Sequence, residues 1–187
     1  MAILSLILAS VVVMGSPGPS TISMTAVAAA YGLRRSIGYL SGLVVGTTAV
    51  LLAVATGVAS ILLSLPELAP VLLAASAAYI LYLAYRIATA PPLSQNRGAV
   101  APSFAGAFLL AIANPKAYLA IAAVFAGSTL GAALKIAVLA AMIVLIHVGW
   151  MLAGAWLSRL FHDPLRSRIA NAAFAVTLVI TTAVLIL

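Results

Sequence analysis

Lys116 is the residue of this sequence that most needs a chemical explanation. It follows Asn114-Pro115 directly, deep inside a long apolar stretch. A lysine near the centre of a bilayer costs about 2.5–3.5 kcal/mol on insertion scales, so it must face a wet cavity, pair with an anion or cap backbone carbonyls freed at Pro115. The chain has two acidic residues, Glu67 and Asp163, and both fall in connections, on opposite faces. No intramembrane carboxylate is therefore expected to neutralise Lys116. A substrate carboxylate is the attractive partner, and carbonyl capping is the plain alternative.

A second break matches this one. Gly15-Ser16-Pro17-Gly18-Pro19 interrupts the first apolar stretch and is followed by Ser20, Thr21, Ser23 and Thr25. Proline removes a backbone donor and clashes one turn back. In lipid the freed carbonyls find no bulk water, so such breaks belong where the backbone lines a cavity or packs on protein. Two interrupted segments, one in each half of a chain, are the pattern of a transporter's binding site. Half-helix N-termini suit a carboxylate, and unwound carbonyls suit an ammonium. Pro17, Gly18, Pro19, Ser20, Asn114, Pro115 and Lys116 are thus candidate substrate-binding residues for a zwitterion. A pair of kinks that only shape packing is the competing reading.

His147, inside the fifth stretch, is the one intramembrane group whose ordinary titration lies near physiological pH, which makes it a candidate for proton coupling. A histidine bonded to a neighbouring helix carbonyl is the plain alternative. Tyr79 is a further binding candidate if it points inward, whereas Tyr82, Tyr85 and Trp156 read as interface anchors. Two histidines in different surroundings make no metal site. No nucleophile–base pair or phosphate loop is visible, so an enzyme is not indicated and no cofactor is called for.

The elements that must position these residues are membrane helices. Of 187 residues, 66% are hydrophobic and 6% charged, too few charges for a soluble surface. With no cysteine in the chain, disulfides, thiolate metal sites and thiol redox transfer are excluded. The formal net charge of +7 sits in connections between apolar runs, which positive-inside topology explains better than nucleic-acid binding. The stretch Met1–Met14 lacks a positively charged leader and is expected to be part of the first span rather than a cleaved signal.

Six spans can be drawn: Ala2–Ala30, Ile37–Leu63, Leu68–Ala88, Ser103–Phe125, Ala132–Leu157 and Ile169–Leu187. Arg34, Arg35, Arg86, Arg97, Arg159, Arg166 and Arg168 all fall on one side of this layout. That side is expected to be cytoplasmic, with both termini outside. The second three spans enter from the face opposite to the first three, as in an inverted 3+3 repeat. Pro17 lies about 21 Å and Pro115 about 18 Å along their helices, so both breaks fall near the midplane. The expected architecture is one all-α transmembrane domain over 1–187, with spans one and four broken. Its halves, about 1–88 and 103–187, are joined by a cytoplasmic loop 89–102. Gly38, Gly42 and Gly46 form a smooth stripe for close packing, either inside the fold or between subunits of a homodimer.

These motifs resemble the lysine exporter family, which includes bacterial threonine–homoserine exporters. Ser16-Pro17-Gly18-Pro19-Ser20 is similar to its PGP signature, and Gly32-Leu33-Arg34-Arg35-Ser36-Ile37-Gly38 follows, with Gly42, Gly46 and Gly57 at familiar spacing. Ser76 to Arg86 looks like the family segment around a Tyr-Leu core. Phe104-Ala105-Gly106-Ala107-Phe108 with Asn114-Pro115-Lys116-Ala117 looks like its second signature. The resemblance implies export of amino acids or close analogues across the bacterial inner membrane, driven by an ion gradient. The chain departs from the pattern at Ser20, where asparagine is usual, and at His147, where an acidic residue is common. Ser76, Ala84 and alanines near Ala172 stand where glycines are expected. With Lys116 kept and no buried anion, a neutral amino acid is favoured over lysine or arginine. An exporter of another small solute, such as an inorganic anion, and a non-transporting membrane scaffold are the alternatives.

Overall fold

A computed structural model describes residues 1–64, 67–90, 100–160 and 164–186. Arg97 and Asp163 lie outside the described residues. Within them the chain is all helix, without strands: α1 (Ala2–Ala9), α2 (Pro19–Tyr31), α3 (Leu33–Ala55), α4 (Val58–Leu63), α5 (Leu68–Ala88), α6 (Phe104–Ala113), α7 (Pro115–Ala126), α8 (Ala132–Leu160) and α9 (Pro164–Ile186). A π turn, Ser10–Met14, extends α1.

Both proline breaks bend the chain sharply. The pair Ala2–Met14 and Pro19–Tyr31 turns by 72°, and Phe104–Ala113 and Pro115–Ala126 by 60°. Each second half starts with proline in the first helical turn, where its missing N–H costs nothing. Among the described residues three helices are long and apolar enough to cross a membrane, or up to five spans if each bent pair counts as one. The apolar part of α5, Leu73–Ala88, is shorter.

The second apolar stretch, Ile37–Leu63, is longer than a straight span needs, and it is interrupted: α3 stops at Ala55 and α4 starts at Val58. Gly57 sits between them at φ +77°, and its N–H donates to Val54 O at 3.1 Å. A glycine in the left-handed conformation satisfies the last carbonyls of one helix and ends it.

The core is built around α2. This short helix carries small and hydroxyl-bearing residues and is buried along almost its whole length, packing against α3, α5, α6, α8 and α9. Close approach depends on glycine. Gly42 and Gly46 meet α6 at Phe104 O and Phe108 O, and Gly154 of α8 meets Thr25 O, so a Cβ at any of them would collide with backbone. Two of the three stripe glycines therefore pack inside the fold, while Gly38 faces open space. Large apolar side chains such as Val12, Leu119, Leu145, Leu152 and Ile180 point outward, as a lipid-facing surface requires. Tyr82, Tyr85 and Trp156 are exposed too.

Candidate functional site

The two breaks meet. Asn114 Nδ2 donates to Ser20 Oγ at 2.9 Å, in a buried bond between residues 94 apart in sequence. Lys116 Nζ, half-buried, donates to Ser16 O and, at 2.8 Å, to Pro17 O. Lysine thus caps carbonyls as the plain alternative holds, but those of the first break, not those freed at Pro115. Trp150 of α8 adds a third donor, its Nε1 lying 3.1 Å from Gly15 O. Pro19 has no N–H for Gly15 O, and the break leaves Ser16 O and Pro17 O outside the helical ladder; all three carbonyls accept from side chains of distant helices.

Each break also organises itself locally. Gly18 N donates to Thr21 Oγ1 at 2.9 Å, and Ser16 Oγ donates to Val13 O at 2.9 Å. At the second break Asn114 Oδ1 caps α7 by accepting from Lys116 N at 3.1 Å. A Cβ at Gly18 would lie 2.6 Å from Lys116 Cδ and 2.8 Å from Nζ, so a side chain there would displace the flexible end of the lysine.

Beside this junction is a small, partly open cleft with a water-accessible volume of about 40 Å³. Its polar lining is Ser20, Thr21, Thr47, Asn114, Lys116 and His147, and its walls are apolar at Met14, Ile121, Ile143 and Ile146. The N-termini of α2 and α7 both begin at this cleft. Their partial positive charges and the Lys116 ammonium make it favourable to an anion. Among the described residues no carboxylate lines it.

Among the predicted residues, Gly18, Ser20, Asn114, Lys116 and His147 thus line one cleft, and Pro17, Pro19 and Pro115 set the backbone that frames it. Tyr79 stands apart, its ring against Gly106 of α6 and 5.9 Å from the Tyr82 ring. Nδ1 of His147 lies 2.8 Å from Ile143 O in its own helix, not a neighbouring one. Its Nε2 is buried without a partner, and so is Thr47 Oγ1. Thr47 and Trp150 were not singled out from sequence, and Thr21 only as one of the hydroxyls that follow the first break. Thr47 offered one signal, a hydroxyl beside Gly46 within an apolar span.

A family model described as "LysE type translocator" matches residues 11–187. A cysteine/O-acetylserine efflux protein of Escherichia coli (strain K12) is 34% identical over 155 residues, which cover 79% of this chain and 80% of that protein. The protein of the same description from Salmonella typhimurium is 36% identical over 101 residues, covering 54% of this chain and 52% of its own length. The chain therefore spans about half the length of the Salmonella relatives it matches. No solved structure matches the chain.

Proposed function

Because the chain belongs to the LysE translocator family, a family of membrane transporters and not of enzymes, we propose that it exports small neutral amino acids across the bacterial inner membrane. The observation that carries this reading is the cleft between the breaks. It offers a lysine and two helix N-termini to a carboxylate, and no acidic side chain to a second positive charge. A lysine or arginine side chain would enter with its extra charge uncompensated, at a high cost in a low-dielectric site. Cysteine and O-acetylserine, named in the relatives' descriptions, are both zwitterions of zero net charge near neutral pH and fit the same demand.

In this reading the chain forms six spans as an inverted 3+3 repeat, with both termini outside and the Arg-bearing connections in the cytoplasm. Substrate binds between the breaks with its carboxylate on Lys116, and access alternates as the halves move about the junction. Counterflow in proteoliposomes tests the function. Vesicles loaded with unlabelled cysteine, O-acetylserine, lysine or phosphate are given labelled cysteine outside. Saturable uptake driven by the first two and not by lysine is expected. Stimulation by lysine alone would overturn the neutral-substrate reading, and stimulation by phosphate alone would favour an anion exporter.

A further inference from the structure

Two buried polar atoms of the cleft have no hydrogen-bond partner among the described residues, Nε2 of His147 and Oγ1 of Thr47. Their residues are only 5% and 6% exposed. Helical hydroxyls elsewhere fold back on the carbonyl four residues earlier, as at Ser10, Thr25, Ser36 and Thr182, the ordinary solution in an apolar setting. Thr47 makes no such bond. At His147 the contact with Ile143 O decides the tautomer. A carbonyl can only accept, so Nδ1 carries the hydrogen and the neutral ring has its lone pair at Nε2. The cleft is thus lined by a donor, Lys116, and by two acceptors without partners among the described residues, at Thr47 and His147.

We propose that Thr47 Oγ1 and His147 Nε2 receive the α-ammonium of the exported amino acid, and that a proton from outside competes with the substrate for the His147 lone pair. This deepens the amino-acid reading above and rests on it. A desolvated ammonium needs acceptors, and with no carboxylate lining the cleft these two atoms are the side-chain acceptors left open. The competition couples the two flows. Facing outward, Nε2 takes a proton from external water, and the resulting imidazolium repels the ammonium, which leaves with its carboxylate. Facing inward, the proton passes from Nε2 to cytoplasmic water, and the freed lone pair accepts an N–H of the next substrate. One proton enters for each amino acid exported, and no buried carboxylate is required. Lys116 of α7 is the other titratable group lining the cleft. The lining residues from the π turn, α2 and α3, namely Met14, Gly18, Ser20, Thr21 and Thr47, carry none.

The test uses the full chain with two probes, reduced L-cysteine and 3-mercaptopropionate, which keeps the thiol and carboxylate but has no ammonium. Wild-type cysteine affinity, read by calorimetry from about pH 7.5 down to about pH 5.5, should weaken toward tenfold per pH unit, with close to one proton released per cysteine bound on the acid side. The mercapto acid should bind at least about tenfold more weakly, without proton release. His147→Gln should bind cysteine independently of pH and retain weakened counterflow that a proton gradient no longer drives uphill. Thr47→Val should weaken cysteine binding and leave its pH dependence and mercapto-acid binding in place. Wild-type binding flat with pH and free of proton release would overturn the competition. So would undiminished pH dependence in His147→Gln, or equal affinity for the two probes. If wild-type protein shows neither cysteine binding nor counterflow, the amino-acid reading itself fails. Counterflow without proton release sinks only the present inference.

Discussion

Lys116 does two jobs that substitution can separate. Its ammonium holds Ser16 O and Pro17 O, which closes the first break, and it presents positive charge to the cleft. Lys116→Ala removes both. Each hydrogen bond made by a charged group contributes about 1.5–3 kcal/mol, so transport per inserted molecule should fall by about tenfold or more. Thermal stability in detergent should fall as well. Lys116→Arg keeps the charge and the donors and should recover stability ahead of transport, because a planar guanidinium aims its N–H groups differently from an ammonium. Equal transport by Lys116→Ala and wild type, normalised to inserted protein, would remove Lys116 from the site. Asn114 carries a similar double load between Ser20 Oγ and the N–H of Lys116. Asn114→Ala leaves a buried Ser20 hydroxyl without its partner, at about 1–3 kcal/mol, and a reduced Tm would report it.

At the scale of elements, the contact of α3 with α6 is the most sensitive to volume. Gly42 lies against Phe104 O and the Ala107 side chain, in a place where any Cβ collides. Gly42→Val should therefore lower Tm and yield of folded protein, since overpacking typically costs about 1–3 kcal/mol. Gly38, with open space around it, should accept alanine with little change. A scaffold that used the stripe to hold a partner would respond in the opposite order. Equal tolerance at the two positions would show that α3 and α6 do not pack as described. The break at Gly57 also belongs to this scale. Its positive φ makes Gly57→Ala a backbone strain rather than a packing defect.

For the whole molecule, orientation is the testable quantity, and the absence of cysteine makes it direct. Thr129, in the connection between α7 and α8, and Thr89, at the end of α5, are both exposed. Single substitutions Thr129→Cys and Thr89→Cys should differ in intact cells. Thr129→Cys should react with an impermeant maleimide added outside, and Thr89→Cys only after permeabilisation. The reverse pattern would invert the topology and with it the direction of proton entry proposed for His147.

Much of this protein could be read along the chain. Apolar runs demand a membrane, and a proline inside such a run must break its helix, because its ring and missing N–H act on the residues one turn away. The sharp bends at Pro17–Pro19 and Asn114–Pro115 were legible for that reason, and so was the need of Lys116 for a partner. Gly57 was harder to read, since an apolar sequence continues on both sides of it. The partners themselves were not legible. Lys116 reaches carbonyls 99 and 100 residues earlier, and Trp150 reaches Gly15 across 135. No local rule assigns such contacts. They depend on how α7 and α8 are rotated about their axes as α2 packs into the core, which summed side-chain volumes and backbone approach at Gly42, Gly46 and Gly154 decide. Packing likewise sets Tyr79 of α5 against α6 and brings Thr47 of α3 to the cleft with His147. Sequence alone determined that two broken helices would have to be satisfied inside the membrane. Only tertiary packing decided that the first break would be closed by Lys116 of the second and by Trp150, leaving two polar atoms of one cleft unpaired among the described residues.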